Sequence, residues 1–238
     1  MRYFARTFAA TFLLTLFPVI ALAQEQPQVP SEPPQPVAPQ PVAPKVEDKT
    51  YHKHDGFLLR LSPGFGGILS SELDHDTLSA KMSGWGTSGS FLLGASLSPN
   101  WYLGATSALI TVFNPTLSIG STDLQLDDTA LDLEVYGAVV GAYWESSLSK
   151  HFNAHDYIQG GAGFARQVHR SGDESEPSIW GPSLFLAVGT EWWVSANWSL
   201  GISQSLTWIK TEIDDSEKTD NPSWQYLLWT VGLSATYN

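Results

Sequence analysis

Leu97-Ser98-Pro99-Asn100-Trp101-Tyr102-Leu103-Gly104 returns later in the chain as Val194-Ser195-Ala196-Asn197-Trp198-Ser199-Leu200-Gly201. Each copy joins two long stretches in which apolar residues alternate with small or polar ones. Each is therefore a tight turn closing a hairpin of two long strands, with a Trp at the same height. The positions that alternate with the apolar ones are Gly, Ser and Thr rather than charged residues. The apolar face of these strands thus looks outward and the polar face looks into a lumen, which is the pattern of a membrane-spanning barrel.

On either side of the two turns the alternation continues and gives eight strands. The first covers about 56–68 with Phe57, Leu59, Leu61 and Phe65 outward; the second covers 84–97 with Trp85, Phe91, Leu93, Ala95 and Leu97 outward; the third covers 101–113. In the fourth, 129–144, Leu131, Leu133, Val135, Val139 and Tyr143 are read as outward and Asp132, Glu134 and Tyr136 as inward. The fifth, about 154–168, turns Ile158, Ala162, Phe164 and Val168 outward, although Gly160-Gly161-Ala162-Gly163 specifies its register weakly. The sixth (183–194), seventh (198–211) and eighth (224–237) present Leu184, Leu186, Val188 and Trp192; Leu200, Ile202, Leu206 and Trp208; and Leu227, Trp229, Val231, Leu233, Ala235 and Tyr237. Connections at 98–100, 145–153 and 195–197 are short, whereas those at 69–83, 114–128, 171–182 and 212–223 are longer and acidic. An up-and-down order puts all short turns at one end and all long loops at the other. The expected fold is all-β: an eight-stranded antiparallel up-and-down transmembrane β-barrel preceded by a disordered proline-rich segment.

That segment follows a secretory signal. Arg2 and Arg6 precede an apolar run from Phe8 to Leu22, interrupted by Pro18, and Ala21-Leu22-Ala23 is a small-x-small cleavage site before Gln24. The run falls short of the about 20 residues of a helical span, so residues 1–23 are read as a signal peptide. Residues 24–50 include Pro33-Pro34-Gln35-Pro36-Val37-Ala38-Pro39, which cannot bury a core. They are read as a disordered, polyproline-like periplasmic linker that touches the cell wall or a periplasmic partner, or serves as a plain spacer. Residues 51–238 form the barrel.

The sequence has no cysteine, which excludes a disulfide framework, a thiolate metal site, a cysteine nucleophile and a lipoprotein anchor. The formal charge is -12 and becomes more negative when Arg2 and Arg6 leave with the signal, so nucleic acid is excluded as a partner. A mean hydropathy of -0.09 fits strands that expose apolar groups only at every second position. The 10 Trp are informative because indoles gather at membrane interfaces. By the parity above, Phe57, Trp101, Tyr143, Trp192, Trp198 and Tyr237 form one girdle at the short-turn end, while Trp85, Phe113, Phe164, Trp208 and Trp229 lie nearer the other. In a soluble lipocalin-like barrel or sandwich these rings would be core, but the strands exceed the usual ~5–6 residues and their other face is mostly Gly, Ser and Thr.

The closing Thr230-Val231-Gly232-Leu233-Ser234-Ala235-Thr236-Tyr237 resembles the carboxy-terminal signal of the small eight-stranded outer-membrane barrels, the group of the OmpA transmembrane domain and OmpX. The resemblance implies that Gly232, Leu233, Ala235 and Tyr237 are read by the barrel-assembly machinery, with Asn238 following the aromatic. It implies a cell outer-membrane location, with outer-membrane lipid and lipopolysaccharide as neighbours. Members serve as structural proteins, adhesins, narrow channels and lipid A enzymes, so function has to come from residues.

Enzymatic readings find little support there. His169-Arg170-Ser171 has the His-x-Ser spacing of the barrel deacylase PagL, with Glu174, Glu176 and Glu191 as available acids, but Gly172 stands where that family has Asn. His75 between Asp74 and Asp76, with Asp123 or Ser121 on the next loop, has no spacing that compels the acyltransferase reading. Asp127-Asp128 and Asp214-Asp215 lack the calcium-loop pattern. No catalytic residue, metal or cofactor is assigned. Arg60, Asp132, Glu134 and Glu191 are read as a lumen charge network, because an eight-stranded barrel is narrow enough for its interior charges to need partners. Arg60 and Glu191 lie at similar depth and are expected to pair. Arg166 is outward at the loop end, where it meets lipopolysaccharide phosphates. The expectation is a non-enzymatic integral outer-membrane barrel with a structural or surface-interaction role, ahead of a narrow pore for ions or small solutes and a lipid A-modifying enzyme.

Overall fold

Hydrocarbon offers no partner to a free backbone N–H or C=O, so strands cross lipid only when both edges of each are paired. The computed structural model, which describes residues 56–74, 79–145, 151–171, 174–175, 179–212 and 222–238, meets that demand with a closed ring. Its elements are β1 (Phe57–Asp74), β2 (Ala80–Ser98), β3 (Trp101–Phe113), β4 (Thr116–Ile119), β5 (Thr122–Gln125), β6 (Thr129–Trp144), β7 (Ala154–Ser171), β8 (Glu174–Ser175), β9 (Ile179–Trp193), β10 (Trp198–Glu212) and β11 (Ser223–Tyr237). Eight of them are long, and each pairs antiparallel with its neighbour in the order β1, β2, β3, β6, β7, β9, β10, β11. The ring closes where β11 pairs with β1, from Leu59 opposite Tyr237 to Asp74 opposite Ser223. The signal peptide and proline-rich linker lie outside the described residues, as do His75, Asp76, Glu176, Asp214 and Asp215.

β1 and β2 run 18 and 19 residues, well beyond the about 9–11 a tilted strand needs to cross lipid. Their far ends continue past the apolar band. There the β1–β2 register breaks between Ile68 and Leu73, and the Ser71 hydroxyl bonds both the N–H and the carbonyl of Met82 in place of a backbone partner. The stretch 114–128, read from sequence as a loop, folds as the β4–β5 hairpin. β4 lies along the extension of β2, from Ala80 opposite Ile119 to Ser83 opposite Thr116.

On seven of the eight long strands the outward face is the one the alternation indicates. The fourth predicted strand is the exception. In β6 Leu131, Leu133, Val135, Val139 and Tyr143 point into the barrel and are buried, while Tyr136, Val140 and Trp144 are exposed on the outside. Asp132 and Glu134 share that outer face, so they are not part of a lumen network. Both faces of β6 carry apolar residues, and the assumption that the apolar face is the outer one therefore chose the wrong parity.

The interior explains why apolar residues turn inward here. At the loop end Ile68, Met82, Ile110, Val112, Leu131, Leu133, Val135, Ile209, Trp224, Tyr226 and Leu228 form a packed core rather than a polar channel. At the short-turn end Leu58, Leu92, Tyr102, Val139, Tyr143 and Tyr157 form a second one. Glycine sets the fit. Tyr102 lies directly across from Gly141 and Tyr157 across from Gly189, and a Cβ at either glycine would meet the ring.

Candidate functional site

Between the strand walls at the short-turn end stands Arg60, inward on β1. Its Nε donates to Thr236 Oγ1 at 2.9 Å, Nη1 to Tyr102 OH at 3.1 Å and Gln159 Oε1 at 2.9 Å, and Nη2 to Tyr143 OH at 2.8 Å. Nε also lies 3.0 Å from Glu191 Oε1, with the two side chains 2% and 0% exposed. The guanidinium carbon sits 3.7 Å from the centroid of the Tyr157 ring. The carboxylate of Glu191 is bonded by Thr236 Oγ1 at 2.7 Å and Ser199 Oγ at 3.0 Å, and lies 3.2 Å from His155 Nε2. Two charges removed from water each cost several kcal/mol. Only a pair whose remaining donors and acceptors are also bonded offsets that cost, and this one is so supplied.

The cluster holds a Ser, a His and a Glu, but not in the order that activates a nucleophile. Ser199 and His155 both approach Glu191, whereas a triad needs the imidazole between hydroxyl and carboxylate. Beyond the cluster, a cavity of about 70 Å³ is lined by Ser62, Ser88, Ser90, Thr106, Ser203 and Thr207 among others. Gln159 and Tyr157 border it on the Arg60 side, Ile110 and Val135 on the side of the loop-end core.

The structure thus brings Arg60 and Glu191 together and separates Asp132 and Glu134 from them. Of the girdle residues, Phe57, Trp101 and Trp192 are exposed on the outside at the short-turn end, and Tyr237 packs against Phe57 at 6.4 Å and Trp198 at 5.3 Å between ring centroids. Tyr143 does not belong to the girdle. Its hydroxyl is on Arg60, and Trp144 takes the outer position. Gly232 faces inward and Leu233, Ala235 and Tyr237 outward on β11, the strand that closes the ring. His169 Nε2 lies 2.7 Å from the Gln167 side-chain nitrogen, while Ser171 is exposed at the strand end. Asp123, Asp127, Asp128 and Ser121 are exposed. Among the described residues no three His, Cys, Asp or Glu side chains converge as a metal site.

Sequence reasoning passed over Tyr102, Tyr157, Gln159, His155, Ser199 and Thr236. A signal for two of the partners was present in the doublets Trp101-Tyr102 and Tyr143-Trp144. At a strand end, neighbouring rings point to opposite faces, so one anchors in the interface and the other enters the lumen.

The chain matches no protein-family model and no curated protein sequence. In three dimensions it is similar to Neisserial surface protein A, with a TM-score of 0.52 and 11% identity over 77% of this chain and 97% of that one. It is similar also to the outer membrane protein OprG of Pseudomonas aeruginosa, with a TM-score of 0.50 and 12% identity over 80% of this chain and all (100%) of that one. This chain has the fold of the small eight-stranded outer-membrane barrels. Its own exterior agrees, since Phe65, Trp85, Leu103, Phe164, Ile202 and Leu233 are all exposed around the barrel, an apolar surface far too continuous for a protein surrounded by water.

At the loop end the barrel exterior becomes polar. Glu134 Oε2 lies 3.5 Å from Arg166 Nη1 and accepts from Tyr136 OH at 2.9 Å. Asp132 pairs with Arg170 and accepts from Thr111 Oγ1 at 2.7 Å. Trp180 stacks on Tyr136 with ring centroids 6.4 Å apart and faces the Arg166 guanidinium at 5.9 Å.

Proposed function

We propose that the barrel is a closed, non-catalytic outer-membrane protein whose role is structural and interactional at the cell surface. Arg60 carries the reading. From β1 its side chain reaches polar partners on five other strands, namely Tyr102 on β3, Tyr143 on β6, Gln159 on β7, Glu191 on β9 and Thr236 on β11. A brace of that kind occupies the lumen and ties the wall together, and the apolar core at the loop end occupies it again. The hydroxyl-lined cavity between them favours a second reading, a narrow pore, because its Ser and Thr side chains suit it to water. That reading requires both packed ends to open. A lipid-modifying role finds no support in Glu191, whose oxygens are committed to Arg60, Thr236, Ser199 and His155.

For assembly, the outward row Leu233, Ala235 and Tyr237 is proposed as the surface read by the assembly machinery. The proline-rich linker is proposed to reach the cell wall or a periplasmic partner.

The test is twofold. Proteoliposomes carrying the barrel should not swell in small sugars or amino acids, and lipid A from cells lacking it should keep its mass spectrum. Rapid swelling would restore the pore, and a changed acylation pattern would restore the enzyme.

A further inference from the structure

Among the described residues, every outward-facing Lys or Arg lies at the loop end: Lys81, Arg166, Arg170 and Lys210. Two of them belong to the exterior patch on β6, β7 and β9, whose height follows from the register. Glu134 is opposite Arg166 and Arg166 opposite Trp180, and Glu134 stands about ten residues along β6 from Trp144, the span a tilted strand takes to cross hydrocarbon. The patch therefore sits at the outer edge of the apolar band, where headgroups lie.

Its arginines are held but not saturated. An Arg offers five N–H donors. Arg166 makes one contact at 3.5 Å to Glu134, longer than the about 2.7–2.9 Å of a charge-assisted hydrogen bond, and its Nε is buried without an acceptor. Arg170 is anchored by the nearly buried Asp132 yet its own side chain is 49% exposed. A few ångströms away the exposed Trp180 presents an indole face. Two guanidiniums with donors left over are suited to an oxyanion, and a flat aromatic beside them is suited to a sugar ring.

We propose that Arg166, Arg170 and Trp180 form a binding site for the phosphorylated sugar headgroup of an outer-leaflet glycolipid, the chemistry of lipopolysaccharide. The inference rests on the reading that the loop end faces the cell exterior, and it deepens the interactional role by naming a partner class. The carboxylates of Asp132 and Glu134 orient the arginines from the barrel side, and the lipid phosphate accepts from the N–H groups that the two half-exposed side chains turn outward.

Barrel purified in detergent would be titrated with diphosphoryl lipid A, dephosphorylated lipid A and inorganic phosphate, with binding followed by native mass spectrometry. Diphosphoryl lipid A should bind saturably, and Arg166→Ala with Arg170→Ala should weaken it by about tenfold or more, as should removal of the phosphates from the lipid. Trp180→Ala should weaken lipid A binding while heat-modifiable migration shows the barrel still folded. An unchanged affinity in the double arginine variant overturns the site. Equal binding of dephosphorylated lipid also overturns it, and inorganic phosphate binding as tightly as lipid A with the same arginine dependence overturns the glycolipid assignment. A cysteine at Asp127, labelled on intact cells, tests the orientation separately, so failure of the site and failure of the topology give different results.

Discussion

Arg60→Ala should destabilise the refolded barrel by about 3–5 kcal/mol, the usual consequence of leaving a buried charge without its partner. The magnitude follows from what remains. Glu191 stays 0% exposed and keeps the Thr236 and Ser199 hydroxyls, while Tyr102, Tyr143 and Gln159 lose a charged donor. Glu191→Ala should cost less, about 2–4 kcal/mol, because the guanidinium retains all four hydrogen bonds and the face of Tyr157. The double variant removes both charges, so its cost should fall short of the sum by about 1–3 kcal/mol. Urea unfolding in lipid vesicles, read by Trp fluorescence and by heat-modifiable migration, gives the cycle. Costs that add to within about 0.5 kcal/mol would refute the brace.

Three further outcomes are expected. Gly141→Leu should impair folding or cost about 1–3 kcal/mol in the same assay, because its side chain would occupy the space of the Tyr102 ring; a wild-type unfolding midpoint would contradict the packing. The native chain lacks cysteine, so a cysteine at Asp127 should react with an impermeant thiol reagent on whole cells while one at Asn100 should not, and equal labelling would contradict the orientation. Deleting Tyr237 and Asn238 should reduce the folded barrel in outer membranes, since β11 would lose its last pairing with β1 and β10; unchanged yield would remove the last strand's role in assembly.

Most of the fold was legible because the side-chain period of a strand is two and lipid rewards one face of it. The turn at Pro99-Asn100 and its copy at Ala196-Asn197 fixed the height of Trp101 and Trp198, and the parity of each adjoining strand followed. β6 was misread because Leu131, Leu133 and Val135 fill the lumen at the loop end, where a polar interior was expected. Apolar character alone does not separate lipid from core. Its aromatic end held the better clue, since a Trp beside Tyr143 competes for the interface. The β4–β5 hairpin was hidden for a different reason: strands of four residues each are held by pairing with β2, which no local pattern reveals. Arg60 and Glu191 were legible as interior charges of similar depth. Their neutral partners were not, because a Tyr, Gln or Thr facing inward looks like any other lumen residue until the strands are closed around it.

The lumen is occupied at both ends, by the Arg60 brace and by the apolar core. Single-channel recording of the wild-type barrel in planar bilayers reads whether that occupancy closes it. The expected trace is flat, with at most brief openings at high voltage. A large, steady conductance would show an open lumen and refute the plug.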